Sequence, residues 1–349
     1  MTKLIEIDGR KIGPGEKSYL IAEVAQAHDG SLGYAHSFID LAKECGADAV
    51  KFQTHIAREE TTREEDFRVR IFPQDKTRYE YWQRMEFEPE HWEGLVNHAK
   101  EVGITFLSSA FSYKAIELLE RLGMPAWKVA SGEVLNFPLL EAMCKTGKPI
   151  LLSSGMSALA ETDKAVDFVK KQGNTLGLFQ CTTKYPTPLE ETGLNVMQDF
   201  AARYDIPVGL SDHSANPYVP IVAMSSGAHM IETHLCLHPR QFGPDTSSSL
   251  TPEGFKIMSE ARDVAHTVLN SRVEKDAMSN DLSAVRGLFQ RSLALKDDQS
   301  AGTILSADMV TLKKPGHGLP ADRMADVVGK TLSNDVTHDR LLRDDDFVS

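Results

Sequence analysis

Eight short apolar runs, each ending in small or polar residues, constrain this chain more than any other feature. They are Tyr19–Ala25, Ala49–Gln53, Thr105–Ser109, Trp127–Ala130, Ile150–Ser153, Leu176–Cys181, Val208–Leu210 and Met230–His234. Most are too short for helices and lack the alternation of a half-buried strand, the pattern expected of parallel strands covered on both faces. Segments of helical periodicity lie between them, such as Phe38–Ala42 with Cys45, and Ala115–Leu122. Glu101–Gly103 and Lys145–Pro149 are stop signals placed just ahead of the next run. Eight strands alternating with helices predict an α/β fold, a (β/α)8 TIM barrel. An open doubly wound sheet is the competing arrangement, but it would carry fewer strands and a Gly-rich first turn.

The barrel is expected over residues 1–270, a polar linker over 271–284 and a small β-rich domain over 285–349. That last piece is marginal by itself on surface-to-volume grounds and is expected to dock on something. One connection is abnormal. His55 to about Pro89, containing RIFPQDKTRYEYWQRM, is too long for a routine βα loop and predicts a partly helical insertion over the barrel mouth. Lining a pocket and packing an interface are both open roles for it.

The formal net charge of −12 argues against nucleic acid or an anionic membrane as the main partner, but not against an anionic substrate in a locally basic pocket. Cys45, Cys144, Cys181 and Cys236 form no CxxC pair, which suits a reducing compartment. The first residues lack the apolar stretch of a signal peptide, and no run approaches the ~20 apolar residues of a membrane span. A soluble, cytoplasmic protein is expected.

In such a barrel, function sits at the C-terminal ends of the strands. Every predicted strand end here is polar. Lys51 and Lys128 supply cations, and Ser109, Ser131, Ser153 and Ser211 supply hydroxyls around the same rim. Convergent donors backed by positive charge suit phosphate. Any one of these serines reads more simply as a loop or helix cap. Their recurrence weighs against that, as does Lys128 in an apolar strand, where an unpaired ammonium is costly. His213 and His234 end adjacent strands, beside Asp212 and Glu232, and could reach one divalent ion while leaving positions open for water and substrate. The plainer alternative is a pair of core histidines satisfied by hydrogen bonds. Asp245 follows strand eight and reads equally as a metal companion, a hydroxyl acceptor or a turn aspartate. Glu23 and Glu133 stand on opposite sides of the barrel, each open to acid–base work or to accepting a hydroxyl. The other histidines read as structural or solvated, with His28 the first exception to consider.

The stretches IAEVAQAHDG, GADAVKFQT, FLSSAF, WKVASGEVLNFPLL, GKPILLSSGMS, CTTKYPTP, VGLSDHS and IETHL followed by GPD run in this order. In these the chain resembles the sialic acid synthases and their legionaminic, pseudaminic and spore-coat-polysaccharide relatives. LKKPGHGL and VGKTL resemble the antifreeze-like (SAF) domain of the same family. The resemblance implies a domain-swapped homodimer in which the small domain covers the partner's active site. It implies a divalent metal, Mn²⁺ ahead of Mg²⁺ or Co²⁺, held by His213 and His234. Phosphoenolpyruvate would be held by Lys51, Ser109, Lys128, Ser131, Ser153, Thr183 and Ser211, with Glu23 near the reacting carbons. Gln53, Glu133, Tyr185, Asp245 and Lys314 would meet the sugar. The implied reaction is metal-dependent condensation of phosphoenolpyruvate with an N-acylated amino-sugar aldehyde, N-acetylmannosamine or a related diacetamido sugar. Its products are a nine-carbon 2-keto-3-deoxy sugar acid and phosphate. The alternatives are a 3-deoxy sugar-acid synthase acting on a phosphorylated sugar, and a non-catalytic sugar-binding descendant.

Some positions depart from the family's pattern. Ala27-His28-Asp29-Gly30 replaces the usual Asn-His-Asn-Gly, and Ser108-Ser109-Ala110-Phe111 replaces Ser-Thr-Pro-Phe. Thr183 stands where serine or asparagine is common, and Thr233-His234-Leu235 where Lys-His-Phe is commoner. Lys314 stands where the family has an arginine that reaches the sugar's acylamino group, and lysine lacks the planar fork of donors.

Overall fold

The computed structural model describes residues 4–70 and 72–348. The chain divides into two compact units, Met1–Ser271 and Arg272–Ser349. In the first, eight parallel strands close into a barrel: Tyr19–Ala25, Ala49–Thr54, Thr105–Ala110, Trp127–Val129, Ile150–Ser153, Leu176–Cys181, Val208–Asp212 and Met230–His234. The eighth pairs with the first from Met230↔Tyr19 to His234↔Glu23, so the sheet has no open edge. Nearly every strand residue is buried, because one face meets the barrel interior and the other meets the helices.

A hairpin of Ile5–Ile7 and Arg10–Ile12 precedes the barrel, turned by Asp8 and Gly9, both at positive φ as a two-residue hairpin requires. Ile5, Ile7 and Ile12 are wholly buried in the main core. Ile5 packs so closely that a Cβ on Gly177 would come within 2.8 Å of its Cδ1 and of Met230 Cε. Gly177 and Met230 lie at the starts of strands six and eight, so the hairpin seals the end of the barrel opposite the strand C-termini.

The long second connection is partly helical. Helices Ala57–Glu60 and Arg78–Met85 lie in it, the second opened by a Thr77–Glu80 capping box. It carries its own small apolar cluster of Ala57, Phe72, Tyr81, Trp82 and Met85, separate from the barrel core. Of the two roles left open by the sequence, pocket lining is observed.

In the second unit, helix Lys275–Asp281 lies in the stretch expected as a linker, and helix Ser283–Phe289 runs from its end into the stretch expected to be β-rich. Strands Ser292–Leu295 and Val310–Lys313 then pair antiparallel over a core that includes Leu293, Leu305, Val336 and Leu342. Its polar residues drew the linker expectation, but helices need only periodicity and can be largely exposed. Among the described residues all four cysteines are free and buried, and no helix is long and apolar enough to cross a membrane.

The hairpin seal can be tested directly. Ile7→Ala should lower the stability of the barrel by about 2–4 kcal/mol, the cost of an unfilled core site, as a reduced midpoint in urea unfolding.

Candidate active site

Strand alternation aims the functional side chains. Residues two apart share a face, so Lys51 with Gln53, Ser211 with His213, and Glu232 with His234 all point into the barrel mouth. They line one cavity of about 600 Å³ together with Glu23, Ser109, Lys128, Ser131, Glu133, Ser153, Thr183 and Tyr185. Every sequence-predicted site residue except Asp245 and Lys314 is therefore on that wall. Asp245 lines an adjoining cavity of about 300 Å³ that shares Gln53, Thr183, Tyr185 and His234 with the first. Lys314 belongs to the second unit, where its Nζ lies 5.1 Å from the centre of the Phe289 ring.

Four buried charges form the floor. Lys51 Nζ pairs with Glu23 Oε2 and lies 3.8 Å from Glu232 Oε1. Lys128 Nζ is 3.2 Å from the same Glu232 oxygen and donates to Ser153 Oγ at 2.6 Å. Ser211 Oγ donates to Glu232 Oε1 at 3.3 Å. Burial pushes Glu23 up; the pull of Lys51 is smaller, and Glu232 adds to the rise. Burial would lower Lys51, but Glu23 and Glu232 outweigh it and hold the ammonium above its usual value. The two partners of this pair shift in ways that do not mirror each other because Lys51 faces two carboxylates, whereas Glu23 faces one ammonium and a second carboxylate. Lys128 is lowered by burial, and Glu232 only partly offsets this. Burial would raise Glu232, but Lys128 and Lys51 together hold it below the ordinary carboxylate range.

Hydroxyls gather beside this floor. The Gly155 N–H donates to Ser131 Oγ at 3.1 Å, and Thr183 Oγ1 is buried with no hydrogen-bond partner in the protein. A Cβ on Gly155 would lie 2.4 Å from Thr183 Oγ1 and 2.7 Å from Ser131 Oγ, so glycine is what lets these groups converge. A buried hydroxyl with no partner, two ammonium groups and further serines suit an anionic, oxygen-rich ligand.

The two histidines are buried side by side, with ring centroids 5.3 Å apart, and Tyr185 stacks on His213 at 4.2 Å. His213 Nδ1 donates to the Thr182 carbonyl at 3.0 Å, which leaves the Nε2 lone pair free. Burial, reinforced by His234, lowers the His213 pKa to about 4, so its ring is neutral near pH 7. A neutral ring with a fixed tautomer suits a metal ligand. No third His, Cys, Asp or Glu joins the pair to make a cluster among the described residues. The donor set therefore fits an ion that keeps positions open for water and substrate, as a Lewis-acid site requires, rather than a closed structural site. Asp212 does not take part. Its carboxylate accepts from Ser214 N and Oγ, and burial pushes its pKa up to about 6.

Around the sugar-side residues, Gln53 Nε2 donates to Glu23 Oε1 at 3.0 Å, and Glu133 accepts from Asn136 Nδ2 at 2.7 Å. Asp245 is tied to Arg68 Nη2 at 2.6 Å, and that guanidinium sits 4.4 Å over the Tyr185 ring. His28 is wholly buried and does not line the main cavity; it packs on Phe87 and accepts the Gly30 N–H at 3.1 Å. Sequence reasoning left Glu232 out of the site, although its place two residues before His234 put it on the same face. It also missed Arg68, His55, Glu60, Arg78 and Trp82, which the insertion brings to the two cavities. No spacing rule could have found those.

A closed barrel whose strand ends gather ammonium–carboxylate pairs, hydroxyls and two buried histidines in one pocket is an enzyme of the sugar-acid synthase type. The chain belongs to the NeuB family, whose model matches residues 38–274, and the SAF domain model matches residues 290–348. It is 35% identical over 329 residues to an N,N'-diacetyllegionaminic acid synthase of Legionella pneumophila, covering 92% of each chain. It is 32% identical to the N-acetylneuraminate-9-phosphate synthase of Homo sapiens, covering 95% of this chain and 93% of that one. Among solved structures, the N-acetylneuraminic acid synthetase of Leptospira borgpetersenii superimposes with a TM-score of 0.72 at 27% identity. That match covers 82% of this chain and 97% of the other.

Two outcomes follow from the charges. Lys51→Met leaves two carboxylates facing one ammonium and should cost about 3–5 kcal/mol of stability; adding Glu23→Gln should restore part of it, both read from urea unfolding. Burial, with smaller contributions from the His55 and Arg84 charges, holds the His28 pKa down at about 3. The unfolded chain therefore binds a proton first as pH falls. The stability that His28 contributes is fully present above about pH 6.5 and is lost toward pH 3, so His28→Asn should flatten the acid side of the urea-midpoint profile in that window.

Proposed function

We propose that the chain condenses phosphoenolpyruvate with an N-acylated amino-sugar aldehyde, in a metal-dependent reaction that yields a nine-carbon 2-keto-3-deoxy sugar acid and phosphate. The carrying observation is that the buried His213–His234 pair shares one cavity with the Lys51–Glu23 and Lys128–Glu232 pairs. The names of the relatives support the same reading.

His213 and His234 would hold the divalent ion, with Mn²⁺ preferred and Mg²⁺ or Co²⁺ as substitutes. When bound there, the ion supplies polarisation of the aldehyde oxygen and stabilises the alkoxide that develops. Lys128, Ser131, Ser153, Thr183 and Ser211 hold the phosphate and carboxylate of phosphoenolpyruvate, with Ser109 at the rim. Lys51 sits beside the reacting carbons. The methylene carbon bonds to the aldehyde carbon, and a water oxygen adds to the carbon that bears phosphate. Glu23, oriented by Lys51 and Gln53, takes the proton from that water, and the carbon–oxygen bond to phosphate then breaks. Gln53, Glu133, Tyr185 and Asp245 meet the sugar's hydroxyl and acylamino groups. Holding both substrates in register supplies much of the rate. Cytoplasmic location, a domain-swapped homodimer and a sugar contact from Lys314 belong to the same reading.

The test is phosphate release from phosphoenolpyruvate with Mn²⁺ and a panel of N-acetylmannosamine, its 6-phosphate and 2,4-diacetamido-trideoxyhexoses. Metal-dependent release with one member is expected, and that member names the sugar. His213→Ala and His234→Ala should each lose at least ~100-fold in kcat, as when charge stabilisation at a developing alkoxide is removed. Normal turnover by these variants in chelator-treated buffer would rule out the metal role. Silence across the panel in folded, metal-loaded protein would overturn the reaction.

A further inference from the structure

Beyond the residues in that mechanism, the start of the insertion reaches the reacting end of the pocket through an unbroken line of hydrogen bonds. Glu60 Oε1 lies 2.5 Å from His55 Nδ1, His55 Nε2 lies 3.1 Å from Gln53 Oε1, and Gln53 Nε2 lies 3.0 Å from Glu23 Oε1. The His55 ring is sandwiched between Trp82, at 3.9 Å and 23°, and Phe111, at 4.3 Å and 11°. All of these lie within the barrel unit.

Hydrogen-bond complementarity assigns the protons along this line. Glu23, paired with Lys51, is an acceptor, so the Gln53 amide must turn its nitrogen toward it. Gln53 Oε1 then faces His55 and also Gln26 Nε2 at 3.4 Å, so His55 Nε2 must carry a hydrogen. His55 Nδ1 faces a carboxylate, whose other oxygen accepts the Ile56 N–H at 3.2 Å. A neutral imidazole protonated only at Nε2 would set two acceptors against each other across 2.5 Å. A hydrogen therefore lies between Nδ1 and Oε1 and ties the ring to the insertion, while the two aromatic faces fix its plane. Glu86, which accepts the Ala57 N–H at 2.6 Å, and buried His28 are the other titratable groups nearby.

We infer that His55 is a positioning residue of the reaction: held by Glu60, Trp82 and Phe111, its Nε2–H locks the Gln53 amide with its nitrogen toward Glu23. Without that donor the amide can rotate and present its oxygen to Glu23, which disorders both Glu23 and the sugar side of the pocket. The insertion thereby acquires a catalytic duty through residues that touch no reacting atom. The inference rests on the proposed reaction for its kinetic consequence, but not for the hydrogen on His55 Nε2.

Two measurements on the full-length protein test it. In ¹⁵N-histidine NMR of the protein loaded with diamagnetic Mg²⁺, with His55 assigned by its loss in His55→Gln, Nε2 of His55 should carry a hydrogen. A His55 Nε2 without a hydrogen would sink the inference. In phosphate-release kinetics, His55→Phe keeps the stacking but loses the donor; it should lower kcat/KM for the sugar at least ~10-fold, with KM for phosphoenolpyruvate held within about twofold. His55→Gln, which can donate from the same reach, should recover most of that loss. Equal losses in the Phe and Gln variants would reduce His55 to packing and overturn the idea. If the wild type turned over no sugar, the proposed reaction would fail while the NMR result still judged His55.

Discussion

Glu23, Lys51, Lys128 and Glu232 are each almost wholly buried at the barrel mouth, and none could sit there without the others. An isolated ion at such depth costs several kcal/mol. An opposite charge at ~4 Å returns about 4 kcal/mol at an effective dielectric of ~20, so only the neutral set of four is tolerable. That condition dictates much else. It requires strands one, two, four and eight to end at matching heights, which barrel closure and the His234↔Glu23 register provide. It also leaves Ser153 and Ser211 bonded to the charges rather than to solvent.

The two ends of the barrel are specialised by this arrangement. At the N-terminal end, three isoleucines of a short hairpin join the core, and only a glycine fits at 177 against Ile5 and Met230. At the other end, small residues keep the space open. Gly155 leaves Ser131 and Thr183 converging, and the histidine pair lies beside them under Tyr185. The stable end is packed with hydrocarbon and the reactive end is held by paired charge, so the mouth can exchange partners for a ligand without loosening the core.

The insertion completes the site in a way that the strands cannot. Strand ends deliver side chains from a rigid frame, but all from one ring of positions. The helices Ala57–Glu60 and Arg78–Met85 bring Glu60, Arg78 and Trp82 in from the side, and Arg68 reaches Asp245 and Tyr185. The small aromatic cluster under this segment gives it the packing to hold those side chains in place.

The barrel was legible in the chain because eight parallel strands buried on both faces leave eight short apolar runs with helical segments between them. The polar residues closing each run marked Lys51, Lys128, His213 and His234 by the same logic, since a reactive side chain at a buried strand end has few structural uses. Period-two alternation even held the clue to Glu232, two places before His234. Which carboxylate meets which ammonium was not legible, because that depends on how strands distant in sequence come to equal height around a closed ring. Helix Lys275–Asp281 was masked by its polar composition, and the partners of His55 by a loop whose path is set by packing rather than by local preference. Local periodicity is written residue by residue, whereas register around a barrel and the course of a long insertion exist only once the whole sheet has closed.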